Sequence, residues 1–290
     1  MSDAPALRYV KGHGTANDFV VLPDPDDALD LTPDLVRAIC DRRRGIGADG
    51  VLRVVRAEFV PGHSNGDREA RWFMDYRNAD GSVAEMCGNG IRVFARYLVT
   101  AGFATPGSLR IATRDGVKAV EVGLEGDVIV GMGPARVLDI DGCAVDVDGT
   151  RLPGTGVSVG NPHVVVRVDD PAALGAFTAA PEISPIDAFP DGANVEFVAT
   201  PEPKHLVVRV HERGVGETFS CGTGACAAVA AIRATNAEVD NGTTYTVDLP
   251  GGRLTVTACE EGRMLLAGPA VLVAQGVIRE EWVAAQGALD

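Results

Sequence analysis

The sequence is short of positive charge: 26 Lys and Arg stand against 40 Asp and Glu, a formal net charge of −14 over 290 residues. A nucleic-acid footprint needs a basic face, so nucleic acid is excluded as a partner and the acidic surplus is assigned to solubility. No apolar stretch is long enough to span a bilayer, which excludes a membrane role. The opening Met1-Ser2-Asp3-Ala4-Pro5 has neither the basic start nor the apolar run of a secretory signal. A cytoplasmic protein with reduced thiols is therefore expected. None of the six cysteines forms a C-x-x-C pair, which argues against structural zinc and a dithiol redox centre. The glycine-rich Gly45-Ile46-Gly47-Ala48-Asp49-Gly50 lacks the Lys-Ser/Thr of a phosphate loop and runs into a strand, not a helix. A nucleotide role is rejected.

What is present is a repeated cysteine turn. Ala84-Glu85-Met86-Cys87-Gly88-Asn89-Gly90-Ile91 is matched by Thr218-Phe219-Ser220-Cys221-Gly222-Thr223-Gly224-Ala225. Each runs into an apolar, helix-forming segment. Cys87 is followed 47 residues on by Pro134, and Cys221 48 residues on by Pro269. Between cysteine and proline each half has strand-like alternation around a turn, at Asp115-Gly116 and at Gly251-Gly252. Asn78 and Glu212 each lie nine residues before their cysteine. Asn17-Asp18-Phe19-Val20 is echoed by Asn194-Val195-Glu196-Phe197-Val198. These offsets indicate a duplication, with halves at 1–134 and 135–268; a chain of this length buries a core in each.

Along the chain, Leu7–Val10 and Phe19–Leu22 read as strands joined by a polar glycine-rich loop. Thr32-Pro33-Asp34 starts a helix that runs to Arg42-Arg43-Arg44, basic residues suited to its C-terminal dipole. Residues 61–69 read as a polar loop, 171–189 as a helix-plus-loop connector, and Glu280 to Gln286 as a last helix stopped by Gly287. His163, in Asn161-Pro162-His163, sits between apolar strands. Cys40, Cys143, Cys226 and Cys259 read as small buried hydrophobes.

A thiol at a helix start meets unpaired N–H groups and a partial positive charge, which lower its pKa and favour a bound carboxylate. A cysteine hydrolase would use one such thiol with a His and leave the second unexplained. Two thiols sharing about one proton fit a cofactor-independent epimerase or racemase, one removing an α-proton and the other returning it from the opposite face.

The segments Lys11–Val20, Asp41–Leu52, Asn78–Arg92, Gly160–His163, Asn194–Val198, Arg209–Ala227 and Gly268-Pro269 together resemble the diaminopimelate epimerase family. The resemblance implies an α+β fold of two pseudo-symmetric domains, each a curved mixed sheet around a central helix, the C-terminal strand returning so that 269–290 completes the first. It implies epimerisation of LL-diaminopimelate to the meso isomer, for lysine and peptidoglycan, without cofactor or metal, by a protein that is often a homodimer. It assigns Cys221 as abstracting and Cys87 as donating thiol, and His163 and Glu212 as groups that tune them. Gly88-Asn89 and Gly222-Thr223 hold the reacting carboxylate. Asn17, Asn78, Asn161, Asn194, Glu212 and Arg213 line the substrate pocket. Many relatives have Gln where Gly50 stands. A proline or hydroxyproline racemase-like enzyme is the alternative, followed by an amino-acid binding protein without turnover.

Overall fold

The computed structural model describes residues 7–62, 70–177, 179–235 and 240–286. Most of the polar loop at 61–69 and the stop at Gly287 lie outside the described residues. The chain forms two compact units, residues 1–130 with 269–290, and residues 131–268. The first crossing falls inside a strand, Val128–Pro134, and not after Pro134.

In the first unit, β1 (Leu7–Gly14), β2 (Asn17–Pro23), β3 (Gly50–Arg56), β4 (Trp72–Asn78), β5 (Gly107–Thr113), β6 (Gly116–Val122) and β7 (Val128–Pro134) follow in chain order. The last strand, β19 (Val271–Ile278), pairs antiparallel with β1. From β19 through β7 the pairings read antiparallel, antiparallel, parallel, antiparallel, parallel, antiparallel, antiparallel. Helix α1 (Pro33–Cys40) makes the crossover from β2 to β3, and α2 (Gly88–Thr100) that from β4 to β5. Helix α4 (Glu280–Gln286) packs on α1.

The second unit holds β8 (Arg136–Val137), β9 (Ala144–Val147), β10 (Thr150–Ser158), β11 (Pro162–Arg167), β12 (Glu182–Ser184), β13 (Asn194–Glu202), β14 (His205–Glu212), β15 (Gly216–Thr218), β16 (Thr243–Leu249), β17 (Gly252–Ala258) and β18 (Arg263–Gly268), with α3 (Gly222–Ala234) between β15 and β16. In the order β8-β10-β11-β13-β14-β16-β17-β18 the pairings again read antiparallel, antiparallel, parallel, antiparallel, parallel, antiparallel, antiparallel. The halves are pseudo-symmetric strand by strand. Strands β9 and β12, with the start of β10, form an additional small sheet.

This correspondence corrects one sequence reading. The strand equivalent to β2 is β11, so Asn17 answers to Asn161; Asn194 opens β13 and answers to Gly50 of β3. Similar Asn-containing apolar strands recur on adjacent positions of the sheet, and local similarity chose the wrong one.

Each central helix is almost wholly inside. Every α2 residue but Thr100 is buried, including Arg92 and Arg96, and strands β1, β2, β3, β4, β6 and β19 pack against it. Helix α3 is built from Ala, Val and Ile, with high helix propensity from the alanines, and packs against β10, β11, β13, β14, β17 and β18. Helix α1 starts where Thr32 Oγ1 accepts from Leu35 N at 3.2 Å. It ends at Cys40, earlier than the sequence suggests, because the Asp41 carboxylate captures the Arg43 and Arg44 amides, each at 2.8 Å, and turns the chain. Those two bonds hold the Asp41 carboxyl below its usual range. The described residues of 171–189 form two 3₁₀ turns and β12 with no α-helix among them, since Gly175, Pro181 and Pro185 interrupt any longer run. The supposed loop after β1 is a tight hairpin, with Thr15 and Ala16 at φ 50° and 62°, so both strands extend to it.

Candidate active site

Both cysteines stand at the N-cap of a central helix. Cys87 (φ −140°, ψ 122°) accepts from Gly90 N at 3.4 Å, and Cys221 (φ −127°, ψ 116°) accepts from Gly224 N at 3.4 Å. The sulfur replaces the usual capping oxygen, so each thiol faces its helix dipole and donors.

Around Cys87 the structure gathers Asn17, Gly88 and Asn89. Asn17 Oδ1 accepts from Cys87 Sγ at 3.6 Å and from Asn89 Nδ2 at 3.2 Å. The Asn17 amide is oriented by Asp49, whose Oδ2 accepts from Asn17 Nδ2 at 2.8 Å. Behind it, Asp18 takes Arg42 Nη2 at 2.7 Å and Lys11 Nζ at 2.5 Å. Burial opposes the Asp18 charge, but Arg42 and Lys11 outweigh it and hold the carboxyl far below its usual range. Arg42 also takes Asp49 at 2.6 Å; it serves this cluster, not the dipole of α1. Beneath, Arg92 donates to Thr15 Oγ1 at 3.0 Å and to the Gly88 carbonyl at 3.1 Å, and is wholly buried. Asn78 donates to Ser82 Oγ at 2.9 Å and pairs with Gly50 across the sheet. A Cβ on Gly50 would lie 2.6 Å from the Arg77 carbonyl and 2.7 Å from the Tyr76 ring; this backbone has no room for a side chain there.

Around Cys221 the structure gathers Gly222, Thr223, Asn161 and His163. Thr223 Oγ1 lies 3.4 Å from Cys221 Sγ, and Asn161 Nδ2 donates to Thr223 Oγ1 at 3.4 Å. His163 Nε2 lies 2.9 Å from Asn161 Oδ1, and its Nδ1 lies 2.7 Å from Glu196 Oε1. His163 and Glu196 are both fully buried. Glu212 accepts from Thr218 Oγ1. Burial, then the Glu212 and Glu196 carboxylates, push the Cys221 thiol well above its ordinary value, with Thr223 and Gly224 acting the other way. This reverses the lowering expected from the helix start, because burial costs a thiolate more than the dipole returns. Arg213 is exposed; its guanidinium donates to the Asp191 carbonyl at 3.2 Å and its N–H to Asn194 Oδ1 at 3.0 Å.

None of the six cysteines is in a disulfide among the described residues, and Cys259 is half-exposed, not buried as read from sequence, because it sits where β17 gives way to a 3₁₀ turn. Among the described residues no three His, Cys, Asp or Glu side chains are placed to hold a metal, and no helix is long and apolar enough to cross a membrane. Sequence reasoning missed Asp49 and Glu196 as partners of site residues. The signal for Glu196 was a carboxylate inside the otherwise apolar run Val195–Val198.

The profile of the diaminopimelate epimerase family matches residues 9–138 and 155–273. The chain belongs to the diaminopimelate epimerase family. A diaminopimelate epimerase of Streptomyces coelicolor is 52% identical over 281 residues, 96% of this chain and 97% of that one. That of Thermobifida fusca is 49% identical over 94% of this chain and 98% of its own. Solved structures extend the fold beyond the diaminopimelate epimerase family. A hydroxyproline epimerase of Agrobacterium vitis superposes with TM-score 0.69 at 14% identity, over 96% of this chain and 94% of that one. A PhzF-family protein of Bacillus anthracis also reaches 0.69, at 18% identity, over 95% and 100%.

Proposed function

We propose that this protein interconverts LL- and meso-diaminopimelate, moving one α-proton between two thiols without a cofactor. The observation that carries this is the duplicated cap: strand-for-strand equivalent units each set a cysteine on the first turn of a buried helix, in a chain whose family match spans both. Cys221 removes the α-proton of the LL isomer and Cys87 returns one from the other face; the reverse reaction exchanges the roles. N–H groups at Gly88-Asn89 and Gly222-Thr223 take the reacting carboxylate and the charge that grows on it. Glu212 pairs with the substrate ammonium. Because the Glu212 carboxylate raises the Cys221 thiol, a cation bound there removes one obstacle to ionisation, so the substrate prepares its own base. Arg213, Asn78, Asn161 and Asn194 are assigned to the distal amino-acid end. A proline-type ring has no such end, which makes the racemase-like alternative the weaker reading.

The protein works in the cytoplasm, where thiols stay reduced, as a homodimer; light scattering of the purified protein checks the latter. The function itself is tested by incubating reduced protein with LL-diaminopimelate in D2O. The expected result is meso product carrying α-deuterium, unaffected by chelator or a carbonyl-trapping reagent. Turnover of proline in place of diaminopimelate would overturn the assignment.

A further inference from the structure

The strand correspondence exposes one place where the halves differ chemically. In parallel register Phe19 pairs with Gly50, and His163 pairs with Asn194. Two residues further along β3 and β13 stand Leu52 and Glu196. Under the first helix start, a Cβ on Gly90 would meet Leu52 Cδ2 at 3.2 Å and Phe19 Cζ at 3.5 Å; under the second, a Cβ on Gly224 would meet Glu196 Oε1 at 2.7 Å. One cysteine turn thus rests on an apolar Phe–Leu pair, and its twin rests on a His–Glu pair of equal burial. The fold accepts apolar residues there. A buried ionisable pair often gives no more stability than a packed apolar one, and Glu196 Oε2 has no hydrogen-bond partner among the described residues. Stability does not account for this pair.

Hydrogen-bond polarity does. His163 Nδ1 meets Glu196 Oε1 at 2.7 Å, one proton lying on that contact, and Nε2 faces Asn161 Oδ1 at 2.9 Å, an oxygen that only accepts, so Nε2–H donates to it. That fixes the Asn161 amide with its NH2 toward Thr223 Oγ1. Thr223, having accepted, has its hydroxyl hydrogen free for Cys221 Sγ, 3.4 Å away. In the other unit the sense is opposite: Asp49 fixes Asn17 so that its oxygen accepts from Cys87. We propose that the buried Glu196–His163 pair polarises this chain so that Thr223 donates to the Cys221 sulfur. Glu196 is thereby a positioning residue: through the relay it acts for the Cys221 thiolate, against the upward push that its own carboxylate exerts directly. Cys87 instead donates to Asn17 Oδ1.

The groups facing Cys221 are Glu212 from β14 and Glu196 from β13, with His163 from β11 beyond Asn161. On β14, His205 pairs with Asp248 and Arg209 with Glu217, and His211 lies against Phe177. Arg136, Arg151, Arg167, Arg253 and Arg263, on the other strands around α3, are exposed.

The inference rests on Cys221 being a proton-transfer group, and its test reads the thiol without turnover. Wild type and the paired variant His163→Phe with Glu196→Leu, which copies the residues of the first unit, are alkylated with iodoacetamide between pH 7 and 10, and the Cys221 and Cys87 peptides are followed separately by mass spectrometry. Without the imidazole no donor holds Asn161 Oδ1 away from Thr223, and the amide turns to accept the hydroxyl that otherwise reaches the sulfur. The Cys221 profile should move up by about one pH unit, which is about tenfold slower reaction below the midpoint, with Cys87 unchanged. Simple removal of a nearby negative charge predicts the opposite sign, faster alkylation of Cys221. That result, or no shift, overturns the relay.

Thr223→Val should reproduce the shift, and adding the paired replacement to it should change nothing more. The paired variant should fold with an equal or higher Tm. If it fails to fold, or if Thr223→Val leaves the Cys221 profile in place, the relay is refuted. Should wild type not epimerise diaminopimelate while this alkylation pattern holds, the substrate assignment falls and the relay stands.

Discussion

At the scale of single residues, the thiols are set by neighbours that sequence reveals only in part. The two caps are legible because Cys-Gly-x-Gly before an apolar run allows little else, and Asn78 and Glu212 at matched offsets point to the same design. The partners are not legible. Asp49 reaches Asn17 through the fold of residues 41–50, and Glu196 reaches His163 across parallel strands; neither contact leaves a spacing in the chain. The direction of the Cys221 shift was also out of reach, since it depends on burial. A folded pKa raised above the unfolded value of about 9.0 contributes stability that is intact below that value and is lost as pH rises through the folded pKa. Folded protein should therefore alkylate at Cys221 more slowly than unfolded protein at pH 9. A saturating, unreactive diaminopimelate analogue whose ammonium meets Glu212 should lower the midpoint, read on a sulfur it leaves accessible. A midpoint at or below that of a free cysteine in the absence of ligand would contradict the burial argument.

Among the elements, α1 shows how the chain prepares the first site without touching substrate. Its cap and apolar face, with Leu35, Val36 and Ile39 against Val20, Leu22 and Val51, hold the turn that brings Arg42 to Asp18 and Asp49. Thr32→Ala removes the Leu35 N–H acceptor and should cost about 1 kcal/mol, measured by urea unfolding. An unchanged midpoint would mean that packing alone sets the helix start. Strand existence was largely readable from alternation and turn residues. The helix expected within 171–189 is absent among the described residues, and the arginines after Cys40 were misread, because an Asp-centred turn and a helix end carry similar residues.

For the whole molecule, the duplication explains both what the halves share and what they do not. Seven pairings recur in the same order and sense, yet Phe19 and Leu52 are answered by His163 and Glu196. Sequence offsets exposed the duplication, while the residue-by-residue match of β2 needed the sheet: Asn17 resembles Asn194 in local sequence but answers to Asn161 in topology. The central claim is that each thiol serves one face of a single carbon. The most direct measurement follows α-hydrogen exchange and stereochemistry by NMR in D2O for Cys87→Ala and Cys221→Ala, each given LL- and meso-diaminopimelate. Neither variant should invert its substrate, and any residual exchange should favour opposite configurations at the reacting carbon in the two proteins. Inversion at near wild-type rate by either one would require a single group to serve both faces, and would contradict the account.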